Sequence, residues 1–207
     1  FRFLNEKKND KNYLSELKFD LDLNKKTILW APTHIEYFKE EDNNILHWLK
    51  KLKCLNKYFN IIIRPHPKTI SRNKNIKNDI RNLNFHLDDN FDQNIMSIMS
   101  QADLIFADYG GIIFDAIFLK KKLILLNLDK NSIFSKELSE NHSMDIIARQ
   151  SLENFDLTIN EDEILKKTRD LMNTNDDNYT TKIKLKYYGQ SGACSFKDTI
   201  NFLEGLL

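Results

Sequence analysis

Short apolar runs recur along this chain with helix-length segments between them, and that alternation narrows the fold more than any other feature. The runs are Thr27-Ile-Leu-Trp-Ala31, Asn60 to Arg64, Leu104 to Ala107 and Leu123 to Asn127, with a shorter one at Phe85-His-Leu87. The four longer runs show no polar alternation, so they read as strands buried on both faces, and Phe85-His-Leu87 reads as a short strand. Between them, Ile45, Leu46, Leu49, Leu52 and Leu55 fall at helical spacing over Asn43 to Tyr58. Ile95, Met96, Ile98 and Met99 mark a second helical stripe over Phe91 to Ser100, and Ile112 to Leu119 reads as a buried helix. Lys68 to Asn82 reads as a loop followed by a helix, and Asp162 to Met172 and Phe196 to Leu206 as helices. Asp129 to Asn160 has no clear period. Strands alternating with helices through short links predict an α/β fold, a parallel sheet covered on both faces.

The ends of two strands carry the chemistry. Ile61-Ile-Ile-Arg-Pro-His-Pro67 delivers Arg64 and His66 to a strand's carboxyl end, with Pro65 and Pro67 stiffening the exit. Ala107-Asp-Tyr-Gly-Gly-Ile-Ile-Phe-Asp115 runs a strand into a glycine pair that opens an apolar helix. Backbone N–H groups at a helix N-terminus attract phosphate, and glycines let it approach closely. Ligands of open parallel sheets bind at the carboxyl ends of the strands. The two stretches together point to a phosphate-bearing ligand.

His66 is the leading candidate. Its ring can donate to phosphate oxygens and, if protonated, offset negative charge; the plain alternative is a rigid Pro-His-Pro turn. Arg64 is either a fork for phosphate or half of a salt bridge. Gly110 and Gly111 are either a phosphate cradle or a simple strand-to-helix turn, and neither a dinucleotide fingerprint nor a P-loop accompanies them. Thr33 could donate to phosphate or cap the next element. Asp108 and Asp115 could face the ligand, cap helices or pair with lysines. They lack a third ligand, so no metal is expected, and no cofactor. Gly189, Gly192, Ala193 and Ser195 precede the last helix as a turn or another close approach. His34 is expected in a loop without a chemical role, His47 and His86 are expected to be structural or at the surface, and His142 supports no assignment.

Composition excludes more than it suggests. The 207 residues suit one substantial domain, and a net charge of +1 gives no reason to expect a nucleic-acid partner. Cys54 and Cys194 lack ligand-like spacing and fit a reducing compartment rather than a disulfide framework. No apolar stretch approaches the roughly 20 residues that span a bilayer. The sequence begins at Phe1, which suggests a piece of a longer protein. Residues 1–24 are expected to be a leader or connector and residues 25–207 the domain proper.

The order of the pieces is more specific than any one of them. Ala31-Pro-Thr33, Arg64-Pro-His-Pro67, Asp108-Tyr-Gly-Gly-Ile-Ile-Phe-Asp115 and Gly189 through Ser195 together resemble the C-terminal half of the CDP-glycerol glycerophosphotransferase family. That family includes teichoic acid primases and polymerases and capsule-building relatives. The resemblance covers about Lys25 to Leu207. It implies a GT-B architecture, two Rossmann-like domains across a cleft, with this chain as the donor-binding C-terminal half. The implied activity moves glycerol phosphate or a related polyol phosphate from a CDP-linked donor to a cell-surface polymer, and CMP departs. His66 would contact the donor's phosphates and the Gly110-Gly111 turn would cradle the pyrophosphate. The polymer acceptor would be activated from an absent N-terminal half, by a His-Gly-Thr type motif. The resemblance implies a cytoplasmic enzyme, with peripheral association at the inner face of the membrane compatible with the full-length protein. The chain departs from the family pattern in two places. Glycines stand at 110 and 111, where hydroxyl residues are usual, and His34 and Glu36 stand where an aromatic and an arginine often follow Ala-Pro-Thr. A GT-B glycosyltransferase using a nucleotide sugar and a non-catalytic nucleotide-binding domain remain as alternatives.

Overall fold

In the computed structural model, residues 19–140, 149–174 and 177–188 are described. Six parallel strands form one sheet: β1 Thr27–Trp30, β2 Asn60–Ile63, β3 His86–Leu87, β4 Leu104–Ala107, β5 Lys122–Leu126 and β6 Glu153–Phe155. Their spatial order is β3-β2-β1-β4-β5-β6. The chain winds outward from β1 to β3, returns to the middle for β4, and winds outward the other way. This is the doubly wound, Rossmann-like arrangement, and its order reverses between β1 and β4.

Period-two alternation along the strands sorts the core into two layers. Ile28, Trp30, Ile61, Ile63, Leu104, Phe106, Ile124 and Leu126 face one side. There they meet Ile45, Trp48, Leu49 and Leu52 of α1 (Phe38–Leu52), Ile76 and Ile80 of α3 (Ile76–Asn82), and Ile164 and Met172 of α7 (Glu161–Asn173). Leu29, Ile62, Ile105, Ala107, Leu123 and Leu125 face the other side, against Ile98 and Met99 of α4 (Ile95–Gln101) and Ile113, Ala116 and Ile117 of α5 (Gly111–Phe118). Central strands covered on both faces have no solvent side to place polar residues on. That is why these runs are apolar throughout.

The periodicity located the central strands closely and the helix ends less well. α1 starts at Phe38 rather than Asn43, and Lys53–Lys57 continues it as a 3-10 turn. The stretch after β2 holds two short helices, α2 (Pro67–Arg72) and α3, rather than a loop and a helix. α4 begins at Ile95, not Phe91, because Asn94 caps it by accepting from the Met96 N–H at 2.9 Å. The unpatterned region contributes α6 (Ile133–Glu140) and edge strand β6, and α8 (Asp177–Tyr188) follows α7. Residues 19–24 dock on the sheet: the Asp22 N–H donates to Asn60 Oδ1 at 3.1 Å and Asn60 Nδ2 returns a bond to the Asp22 carbonyl at 2.8 Å. The expectations for the first eighteen residues, His142, Gly189 through Ser195, Cys194 and the last helix lie outside the described residues.

Candidate functional site

The reversal of strand order puts the exits of β1 and β4 side by side, with the exit of β2 next to β1. Trp30 is in register with Ile63 on one side and Phe106 on the other. The residues that follow therefore converge. Ala31 to His34, Arg64 to Lys68 and Tyr109 to Ile112 line one groove of about 570 Å³, with Phe91 and Ile95 forming its apolar flank. Four sequence stretches far apart in the chain meet there, and the volume suits a nucleotide-sized ligand.

His66 ends the β2 exit and starts α2. Its backbone is extended (φ −61°, ψ 145°), Pro67 occupies the first helical position, and His66 Nδ1 accepts the Lys68 N–H at 3.1 Å. The histidine thus caps a helix, and Pro-His-Pro is more than a rigid turn. Capping also decides its chemistry: in the neutral ring Nδ1 is the acceptor, so Nε2 carries the proton as a donor. Burial, then neighbouring His34 and Lys68, hold its imidazole below the usual imidazole range, which keeps that neutral form at physiological pH.

Arg64 is committed to the protein. Nη1 donates to Asp88 Oδ2 at 2.6 Å, Nη2 donates to the Gln93 carbonyl at 2.7 Å, and the guanidinium lies 5.7 Å from the Phe91 ring centre. Of its two sequence readings, the salt bridge is the one this geometry displays. Arg64 lines the groove while fastening the β3–α4 segment that carries Phe91.

Thr33 ties the two central exits together. Its N–H donates to Asp108 Oδ1 at 2.8 Å and its hydroxyl donates to the Tyr109 carbonyl. Asp108 is fully buried and also accepts the Tyr109 N–H at 3.1 Å, and burial pushes its carboxyl above the usual carboxylate range. Its carboxylate closes the loop from within. Asp115 stands one turn further along α5 and is not brought into the groove; partial burial raises its pKa.

Gly110 caps α5 with φ 86° and ψ −169°, a conformation essentially confined to glycine. Gly111 opens the helix, and a Cβ added there would meet nothing within 4 Å. The first-turn N–H groups of a helix lack intrahelical acceptors and attract anions. Only position 111 could carry a hydroxyl side chain without backbone strain. Gly110→Ala is expected to cost about 1–3 kcal/mol, while Gly111→Ala is expected to be neutral or stabilising by up to about 1 kcal/mol. Urea unfolding of both variants checks this; equal losses would contradict the assignment.

The structure adds a residue to the site that sequence reasoning set aside. His34 lines the groove, stacks on His66 with ring centres 5.3 Å apart, and places Nδ1 3.0 Å from Glu41 Oε1. Glu41 looks like an ordinary first-turn acid in the sequence of α1, yet it is only 1% exposed. The available signal was position: His34 follows β1 as Gly110 follows β4, but using it required the strand order. A separate cavity of about 350 Å³ lies beside α1, lined in part by Asn44, His47, Leu128 and Asp129, and includes none of the strand-end candidates. Among the described residues no group of three or more His, Cys, Asp or Glu is placed to hold a metal ion, and no helix is long and apolar enough to cross a membrane.

A crevice outside the strand carboxyl ends, at the point where their order reverses, defines the class: a doubly wound, Rossmann-like α/β protein. A family model, CDP-Glycerol:Poly(glycerophosphate) glycerophosphotransferase, matches residues 2–186, and the chain belongs to that family. Among solved structures, the chain is similar to the wall teichoic acid polymerase TagF in a variant form, at 18% identity and a TM-score of 0.59, over 96% of this chain and 50% of that one. A TagF variant soaked with CDPG matches at 17% identity and a TM-score of 0.57, over 90% of this chain and 44% of that one. The Methanocaldococcus jannaschii UDP-GlcNAc 2-epimerase, in complex with UDP-GlcNAc and UDP, matches at 15% identity and a TM-score of 0.53, over 91% of this chain and 51% of that one. At these identities the likeness concerns the fold. The chain spans about half the length of these solved proteins. The comparison with curated proteins found no match.

Proposed function

We propose that the groove is the donor site of a transferase that moves glycerol phosphate, or a related polyol phosphate, from a CDP-linked donor to a cell-surface polymer, with CMP as the leaving group. The observation that carries this is the convergence of His66, Thr33 and the Gly110-Gly111 helix start on one groove in a chain of the glycerophosphotransferase family. In this reading the acceptor hydroxyl attacks the donor's distal phosphorus in line. His66 Nε2–H donates to a phosphate oxygen that gains charge as CMP departs, and the α5 amides hold the pyrophosphate. Arg64 acts mainly by fixing the groove wall. The base that activates the acceptor would come, as the family resemblance implies, from an N-terminal half bearing the His-Gly-Thr type motif, placed within reach of the proton that it removes. In this reading the full-length protein would act in the cytoplasm, with peripheral association at the inner face of the membrane compatible with it.

Thermal shift tests the reading directly. At about 100 times its dissociation constant a ligand stabilises by roughly 2.7 kcal/mol, which for a chain of this size raises Tm by roughly 5–10 °C. CDP-glycerol, CDP and CMP are expected to produce such shifts, and UDP-sugars are not. A larger shift with UDP-sugars would favour the glycosyltransferase alternative. No calorimetric heat at millimolar cytidine nucleotide would remove the donor-site proposal.

A further inference from the structure

We propose that His34, held by the buried Glu41 carboxylate, is a second ligand-facing imidazole of the groove, and that it takes up a proton when the donor's pyrophosphate binds. This rests on the donor-site reading above and deepens it.

The argument starts at Glu41. Its Oε1 receives the Thr69 hydroxyl from α2, the Ile35 N–H at 3.4 Å and His34 Nδ1 at 3.0 Å. An ionised carboxylate only accepts hydrogen bonds, so His34 Nδ1 must carry a hydrogen. That leaves Nε2 as the nitrogen that gains or loses a proton, and no described group of the protein bonds it. His66 is arranged the other way, with Nδ1 committed as an acceptor to the Lys68 N–H and Nε2 as a fixed donor. The stacked pair therefore offers the groove one permanent donor and one switchable atom.

Charge placement decides which ring takes a proton. Two imidazolium ions stacked this closely repel each other, so the pair holds one positive charge more readily than two. His34 has a buried carboxylate against it. His66 feels the same carboxylate only through space and has Lys68 opposing it, and Arg64 behind it is neutralised by Asp88. Of the other groups around the pair, Arg72 donates to the Ile35 and Glu36 carbonyls, and buried Asp108 accepts from Thr33 and Tyr109 through Oδ1, its Oδ2 having no hydrogen-bond partner among the described residues. A pyrophosphate entering the groove brings negative charge and lone pairs toward the bare Nε2. A proton from solvent turns that repulsion into a charge-assisted hydrogen bond.

Calorimetry of CDP-glycerol binding to the full-length protein, in buffers of different ionisation enthalpy, reads the proton directly. The diphosphate diester has no group of its own that titrates near neutrality, so uptake belongs to the protein. The wild type is expected to take up a fraction of one proton on binding. His34→Phe keeps a flat ring against His66 and should abolish the uptake and weaken binding roughly tenfold or more. His34→Gln, which retains a donor toward Glu41, should also abolish uptake and serves if the Phe variant does not fold. His66→Gln should weaken binding while leaving the uptake in place. Binding without uptake, or uptake unchanged in either folded His34 variant, overturns this inference and leaves the donor-site reading standing. Failure of both CDP-glycerol and inorganic pyrophosphate to bind overturns the two together.

Discussion

His66→Ala in the full-length enzyme is expected to lower turnover about 100- to 1,000-fold, the usual loss when one hydrogen-bond donor to a developing oxyanion is removed. The fold should survive. His66 lies on the groove surface, and the one hydrogen bond of its ring among the described residues, from the Lys68 N–H, caps a six-residue helix that Pro67 already pre-organises. Because the ring is held below the usual imidazole range, it works as a neutral donor. His66→Gln should therefore recover part of the lost rate, since an amide can also donate. The sign of the pH effect follows: the neutral form is complete above the imidazole's lowered pKa, so raising pH from 7 to 8 should not remove the His66 contribution. An Ala variant with near wild-type turnover in a steady-state transfer assay would exclude the assignment.

Arg64→Ala should act mainly on stability, with an expected loss of about 3–5 kcal/mol, the cost of leaving a buried charge without its partner. Arg64 and Asp88 are 10% and 2% exposed, and they meet at 2.6 Å. The second guanidinium nitrogen holds the Gln93 carbonyl, so the substitution also releases the segment between β3 and α4. At roughly 2–4 °C per kcal/mol for a chain of this size, Tm should fall by about 6–20 °C. Replacing both partners, Arg64→Met with Asp88→Leu, should recover much of the loss, because two well-packed apolar side chains can substitute for a buried ion pair. A double-mutant cycle by denaturant unfolding measures the coupling. If Arg64→Ala left stability unchanged and weakened only nucleotide binding, the phosphate-fork reading would stand instead.

His34 and β6 show why part of the site and fold stayed out of view in the sequence. His34 acquires its neighbours from α1 and from the β2 exit, and Glu41 becomes a buried anchor only because α2 covers it through Thr69. Neither relation has a local pattern. β6 has three residues with only Phe155 buried, and pairs through one edge with β5. A strand that short gives periodicity nothing to register. α6 is only partly legible: Ser132 accepts the Ser135 N–H at 3.0 Å as a local cap, while Glu40, from α1, accepts the Ile133 N–H at 2.8 Å and the Phe134 N–H at 3.3 Å, a contribution that no local pattern shows.

What the sequence determined by itself was the layer structure and the address of the chemistry. Uninterrupted apolar runs can be satisfied only by a sheet covered on both faces, and Pro-His-Pro and Gly-Gly mark where two strands must stop. Both are short-range consequences of side-chain volume, backbone freedom and solvent avoidance. Tertiary structure alone decided which strand ends became neighbours, and so that Thr33 bridges to Asp108 and Tyr109 while Asp115 stays outside the groove. It also decided that Arg64 is spent on Asp88 and that His34 stacks on His66. Those outcomes depend on strand order and on distances between residues remote in the chain. The order 3-2-1-4-5-6 places the exits of β1, β2 and β4 together, and contacts across that junction join Thr33 to Asp108 and Tyr109 and stack His34 on His66.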